Sequence, residues 1–335
     1  MTQQPITLLF ADGVTRAHDA APGQKLLDVA QAMGLSLLTD CANGQCGTCV
    51  AQCVSGSMAL DDYDPGVLPD DEREDGAILC CVARVQGPAV IELPYDASEA
   101  SGEEAPGQSG QVVSVTAVAP DIVALTVEVP QAVHFLPGQY VRLQPEGVAQ
   151  PRSYSMANAS GATTLVFYVR LVEGGQFSDW LRQQAQPGAV LSVSAPRGSF
   201  FLRENERPRL MVAGGTGLAP LLAMLQHLAD GADSAVAQRP TRLLVGARSG
   251  AHRFALDALQ ALQARLPGLQ VEWAAESDAP PGAHTGYPTD LIATQALLPG
   301  TQIYVCGPPP MVDAARAAAQ KAGARKADLL CERFA

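Results

Sequence analysis

At 335 residues the chain is long enough for two or three domains, each with its own core. Its 47% apolar and 17% charged residues describe an ordinary soluble protein; no run of 18 apolar residues offers a membrane span, and the start MTQQPITLLFADG lacks a secretory signal's basic and apolar regions. The net charge of −12 is concentrated, with 17 acidic against 4 basic side chains in residues 1–104 and 17 against 18 in the rest, which argues against nucleic acid as a partner and for a basic protein face.

In chain order, ITLLF and VTRAH alternate around Asp12-Gly13, the signature of a β-hairpin. KLLDVAQAMG (25–34) has helical apolar spacing and stops at Gly34, a C-cap residue. AILCCVARV and AVIEL read as further short strands, so a small mixed sheet crossed by one helix is expected here. DASEASGEEAPGQSGQ (96–111) is small, polar and acidic, and reads as a linker.

Between helix and linker lies CANGQCGTC, with Cys41-x4-Cys46-x2-Cys49 and, after an interval, the adjacent pair Cys80-Cys81. A cytoplasmic, reducing address is expected, and there eight cysteines favour metal binding or catalysis over disulfides. The spacing is that of plant-type [2Fe–2S] ligands. Gly44 and Gly47 allow a loop backbone to wrap closely around such a cluster. Zinc would favour paired C-x2-C elements, of which one is present, and a thiol redox motif would open a helix in a βαβ unit. The fourth ligand stays open between Cys80 and Cys81, which strand alternation would send to opposite faces. Cys53 and Cys331 read as ordinary thiols.

Past the linker, VVSVTAVA, VALTVEVP, YVRLQ, TLVFYVRL and AVLSVSAP are short strands broken by Pro and Gly, the pattern of an antiparallel barrel. From Arg207 the pattern changes. RLMVAG precedes a helix near 218–229, RLLVGA one near 254–266, and TQIYVCG one near 311–322, which predicts βαβ units and a parallel sheet.

Within the barrel stands Arg152-Ser153-Tyr154-Ser155. Arg152 offers a planar cationic fork, Tyr154 an aromatic surface and Ser155 a small hydrogen-bonding group; taken alone, such residues equally suit the rim of a barrel. VEGGQFSDWL (172–181) places Gly174, Gly175, Gln176 and Ser178 at a helix start, with Ser178 expected as N-cap and free N–H groups for phosphate. VAGGTGLAP (212–220) is a glycine-rich strand-to-helix turn, Gly214-Gly215-Thr216-Gly217, suited to a dinucleotide's phosphates. CGPPPM opens with Cys306-Gly307-Pro308, and Arg248 follows the second parallel strand, where a basic group could hold a 2′-phosphate.

This series, in this order over the whole chain, resembles the ferredoxin–NAD(P)H reductase superfamily. With the ferredoxin-like segment first, it resembles the reductase components of two-component Rieske aromatic-ring-hydroxylating dioxygenases of the benzoate and anthranilate type. The resemblance implies a multidomain α+β and α/β protein: a β-grasp [2Fe–2S] ferredoxin domain (1–97), a linker (98–110), an antiparallel β-barrel FAD domain (111–206) and a Rossmann-like parallel-sheet nicotinamide domain (207–335). It puts Cys81 in the fourth ligand position beside Cys41, Cys46 and Cys49. It implies a flavin whose pyrophosphate meets Arg152, whose ring meets Tyr154 and whose N5 edge meets Ser155, and it adds Ser153, Tyr168, Val169, Arg170 and Phe177 to that site. Thr216 and Cys306 would flank the nicotinamide, while Glu332 and Phe334 of the terminal CERFA would cover the flavin, although this chain continues to Ala335. The activity implied is electron transfer from NADH, with NADPH left open by Arg248, through FAD and the cluster to an oxygenase partner, by a cytoplasmic monomer. Diiron monooxygenase reductases share the same order, and a cluster-based redox sensor without turnover is the non-enzymatic alternative.

Overall fold

The computed structural model describes residues 3–100, 107–203, 205–231 and 234–334. It divides into two compact units, Met1–Ala105 with Arg197–Ser199, and Pro106–Pro196 with Phe200–Ala335.

In the first unit, β1 (Gln4–Leu9) and β2 (Thr15–Ala20) form the expected hairpin. The Asp12 carboxylate accepts the Val14 N–H at 3.0 Å and Gly13 takes the positive φ of the turn. α1 (Leu26–Ala32) buries Leu26, Val29 and Ala30 and ends with Gly34 in the left-handed region one residue past the Met33 cap. β3 (Val50–Leu60), α2 (Asp70–Glu74), β4 (Ala77–Leu79), β5 (Ala83–Glu92) and α3 (Ala97–Ala100) complete the unit. The sheet order is β2-β1-β5-β3-β4, with β1 and β5 parallel and the other pairs antiparallel, a β-grasp.

Three expectations are corrected here. Cys80 and Cys81 do not lie on a strand: they occupy the turn between β4 and β5, closed by Val82 N–H to Leu79 O at 3.1 Å. The segments ARV and AVIEL are one strand, irregular in its pairing with β3. Of the linker expected over 98–110, residues 98–100 belong to α3 and 108–110 to the next strand, while 101–106 lie outside the described residues.

The second unit begins with a six-stranded antiparallel sheet: β6 (Gln108–Ala119), β7 (Ile122–Val133), β8 (Tyr140–Pro145), β9 (Arg152–Ser155), β10 (Ala162–Arg170) and β11 (Val190–Val193), in the order β10-β7-β6-β11-β8-β9. Alternate residues of these strands, Leu125, Val127, Val141, Leu143, Leu165 and Phe167 among them, fill its core together with Phe177, Trp180 and Leu181 of α4 (Gln176–Gln183). Then follow β12 (Arg209–Gly214), α5 (Leu218–Asp230), β13 (Thr241–Ser249), α6 (Leu256–Arg265), β14 (Leu269–Ser277), β15 (His284–Thr285), β16 (Gln302–Gly307), α7 (Pro309–Lys321) and β17 (Leu329–Arg333). Their sheet is parallel throughout, in the order β15-β14-β13-β12-β16-β17.

The unbroken apolar run of β12 is explained by burial on both faces. Met211 and Ala213 pack against α5 and its neighbours, and Leu210 and Val212 against α7. Among the described residues, no helix is long and apolar enough to cross a membrane.

Candidate functional site

Two places gather the chemistry read from the sequence, one in each unit. In the first, Cys41 to Cys49 form an irregular loop without helix or strand. Gly44 has φ +77°, and a Cβ there would lie 2.6 Å from Tyr63 Cβ, so the loop turns tightly against residues 62–63. The thiols of Cys41, Cys46, Cys49 and Cys81 lie near enough to shift one another's protonation, and Cys46 Sγ donates to Thr48 Oγ1 at 3.3 Å.

Hydrogen bonds from Cys46 and then Cys81 hold the Cys41 thiol far below the ordinary thiol range, and Cys81 likewise lowers Cys49. Sharing those bonds pushes Cys46 and Cys81 up. Backbone N–H groups already point at sulfur: Gln45 donates to Cys41 Sγ at 3.3 Å and Cys81 to Cys49 Sγ at 3.4 Å. Cys80 is buried and its thiol is raised by that burial, then by the Cys49 charge.

Among the described residues, no three His, Cys, Asp or Glu side chains surround a single-ion position. Four neighbouring thiols, with N–H donors aimed at Cys41 and Cys49, fit a two-iron cluster better than one zinc.

In the second unit the candidate groups converge at the carboxyl ends of the parallel strands, where open α/β sheets bind ligands. β9 pairs with β8, Ser155 opposite Tyr140 and Tyr154 opposite Val141. Arg152 is exposed, with hydrogen bonds only to the neighbouring Gln150 and Pro151 at 3.3 Å, so its fork can reach an anion. Ser153 is exposed as well. The Tyr154 ring lies 4.9 Å from that of Phe177.

Ser155 Oγ donates to Glu332 Oε2 at 3.4 Å, and Cys306 Sγ donates to the same oxygen at 3.8 Å. All three residues are buried. Burial first, then the Glu332 charge, pushes the Cys306 thiol well up, so it stays protonated and serves as donor. The C-terminal segment is therefore no frayed end: Glu332 sits on β17, paired with Cys306 of β16, and the Phe334 N–H donates to Gly307 O at 2.9 Å. Ala335 lies outside the described residues.

The glycine turn joins β12 to α5 through a 3-10 turn, Gly215–Gly217. Gly217 presses so closely on β16 that a Cβ would fall 2.2 Å from Cys306 O, which holds Thr216 and Gly214 beside the Cys306-Gly307-Pro308 strand end. These are the groups expected around a nicotinamide, and they share one edge of the sheet.

Other expected residues are placed differently. Ser178 is not the cap of α4; Gly175 is, and Ser178 Oγ instead accepts the Val172 N–H at 2.9 Å, tying the preceding loop to the helix. Gly174 and Gln176 are exposed beside it, and Gly174 has positive φ. Val169 points into the barrel core, Tyr168 stacks on Phe254 at 4.7 Å, and Arg170 lines a cleft in this same unit.

That cleft encloses about 480 Å³ and is lined by Gly214, Gly215, Pro308 and Arg248, as the motifs suggest, but also by Asp121 and Glu276. Sequence reasoning missed the last two. Glu276 ends the parallel strand β14, and recognising VEWAAES as a strand would have put it at the ligand edge. Asp121 sits in the plain turn between β6 and β7, and carries no motif.

Comparison with known proteins agrees with this division. Residues 9–86 match a family described as 2Fe-2S iron-sulfur cluster binding domain, 109–202 one described as oxidoreductase FAD-binding domain, and 211–317 one described as oxidoreductase NAD-binding domain. The chain is 34% identical over 330 residues, 97% of either chain, to the toluate 1,2-dioxygenase electron transfer component of Pseudomonas putida. It is 32% identical to the anthranilate 1,2-dioxygenase electron transfer component of Acinetobacter baylyi, over 93% of this chain and 91% of that one. Among solved structures, a cytochrome P450 reductase from Amycolatopsis superposes with a TM-score of 0.72 at 27% identity, covering 98% of both chains.

Proposed function

The chain belongs to the family of iron–sulfur flavoprotein electron transfer components, and on that premise we propose that it carries electrons from NADH to the Rieske oxygenase component of an aromatic-ring dioxygenase. Bound FAD would accept electron pairs and the cluster would forward single electrons, as each cofactor's own chemistry provides. The residues of this chain bind, orient and shield.

In this reading Cys41, Cys46, Cys49 and Cys81 hold the cluster. Arg152 and the segment Gly174–Ser178 hold the flavin phosphates, with Tyr154 against its ring. Gly214 to Gly217 and Gly307-Pro308 cradle the dinucleotide. Ser155, Cys306 and Glu332 place buried hydrogen-bonding groups at the reacting edge, Thr216 flanks the nicotinamide, and Phe334 covers the flavin. The domains are assigned as a cluster domain running through α3 to residue 100, a flavin domain from β6 at residue 108 to 206 and a nicotinamide domain over 207–335, in a cytoplasmic monomer.

What supports the reading most is the meeting of Ser155 with Glu332, 177 residues apart in sequence, beside Cys306 at the glycine turn. A barrel and a sheet that each served a separate purpose would have no cause to bury a carboxylate between a serine and a thiol. The acidic first domain suits a basic acceptor face. The test is steady-state reduction of cytochrome c and ferricyanide by NADH with the FAD-loaded, cluster-loaded protein. Turnover of both acceptors is the expected result; absence of turnover with both would overturn the reading.

A further inference from the structure

Asp121 and Arg248 meet at the cleft. Arg248 is the natural partner for a 2′-phosphate, since its side chain remains 63% exposed. Its guanidinium is nevertheless already engaged: Nη2 donates to Asp121 Oδ2 at 2.8 Å and to His252 Nε2 at 2.7 Å. A guanidinium has no acceptor, so His252 Nε2 must accept. The ring proton then sits on Nδ1 and is donated to Ser249 Oγ at 2.7 Å. The arginine is thus oriented by two acceptors, one of them a full negative charge.

An ion pair this exposed adds only about 0–1 kcal/mol to folding. Its effect on a ligand is larger, because it decides what charge the cleft presents. With Asp121 neutralising Arg248, and Glu276 contributing a second carboxylate to the lining, the other arginine among the described lining residues is Arg170, on the cleft's barrel side. Carboxylates accept hydrogen bonds from a ribose 2′-hydroxyl and repel a 2′-phosphate.

We propose that Asp121 is a selectivity residue, which by holding Arg248 sets this cleft for a dinucleotide with a free 2′-hydroxyl and against its 2′-phosphorylated form. This rests on the NADH-oxidising reading above and names a device within it.

The test compares the wild type with Asp121→Asn, both FAD-loaded, in two measurements. The first is the ratio of kcat/KM for NADPH to that for NADH. The second is calorimetric binding of 2′,5′-ADP against 5′-AMP, which needs no turnover. Releasing Arg248 is expected to raise both ratios about tenfold, the weight of one charge-assisted hydrogen bond. Adding Arg248→Ala to the same variant is expected to remove the gain. Asp121→Ser serves equally should the asparagine variant fold poorly. Ratios unchanged within about twofold, or a wild type that already binds 2′,5′-ADP more tightly than 5′-AMP, would overturn the proposal. A wild type that fails to oxidise NADH while the binding ratio still shifts would sink the electron-transfer reading and leave the selectivity device standing.

Discussion

Replacing Cys81 by serine is expected to abolish the visible absorbance of the iron–sulfur cluster, whereas Cys80→Ser leaves it in place. The two residues are neighbours, so composition and local charge are matched and only side-chain direction differs. The Cys81 N–H donates to Cys49 Sγ at 3.4 Å, and its thiol is pushed up by the neighbouring thiols of Cys41 and then Cys49. Cys80 is packed into the buried interior, and its N–H is spent on Cys49 O at 3.0 Å. A serine hydroxyl does not replace a soft thiolate on iron.

Loss of the cluster should cut cytochrome c reduction by a factor of about 100 or more, while ferricyanide, which can draw directly on the flavin, is still reduced by NADH. Cys80→Ser buries a hydroxyl at a cost of about 1–3 kcal/mol. It should therefore lower the denaturation midpoint without bleaching the protein. The opposite pattern of absorbance in the two variants would transfer the fourth ligand to Cys80.

The second large effect is expected at Ser155. Its hydroxyl is buried and directed at Glu332, at the place where the flavin barrel and the nicotinamide strands come together. Ser155→Ala removes one preorganised donor, and the loss of such a donor at a reacting centre lowers rates by about 10²–10³. The rapid flavin-bleaching phase on mixing with NADH should slow by about that factor, while the cluster absorbance is unchanged. A merely structural role predicts otherwise, because one buried hydrogen bond contributes about 1 kcal/mol to stability and nothing to the rate once the protein is folded. Unchanged bleaching with a lowered melting temperature would assign Ser155 to the scaffold.

Much of this architecture is legible in the chain because its signals are local. Three thiols at close spacing, the Asp12-Gly13 hairpin and the alternation from Arg207 onward are each built from signals within a few tens of residues. The structure reproduces them as the Cys41–Cys49 loop, the β1–β2 pair and the parallel sheet. Misreadings arose where a local pattern had two physical solutions. ILCCVARV is apolar enough for a strand, but the backbone turns at Cys80-Cys81 and so brings the Cys81 N–H to the Cys49 sulfur. Ser178 suits a cap, but Gly175 already provides the extended backbone that starts α4, leaving the serine to fasten Val172.

What could not be read at all depended on long-range packing. The Asp121–Arg248 pair spans 127 residues, and β17 becomes a strand only because β16 lies beside it. Neither residue type nor spacing announces such contacts.

On the proposed route, electrons pass from NADH through flavin to the cysteine-held cluster. Anaerobic titration of the FAD-loaded holoprotein with NADH, followed by visible absorbance and low-temperature electron paramagnetic resonance, tests it most directly. The expected result is bleaching of the flavin together with the resonance of a reduced [2Fe–2S] cluster, growing in proportion to the NADH added and missing in Cys81→Ser. A flavin fully bleached by NADH beside an intact cluster that never develops that resonance would contradict it.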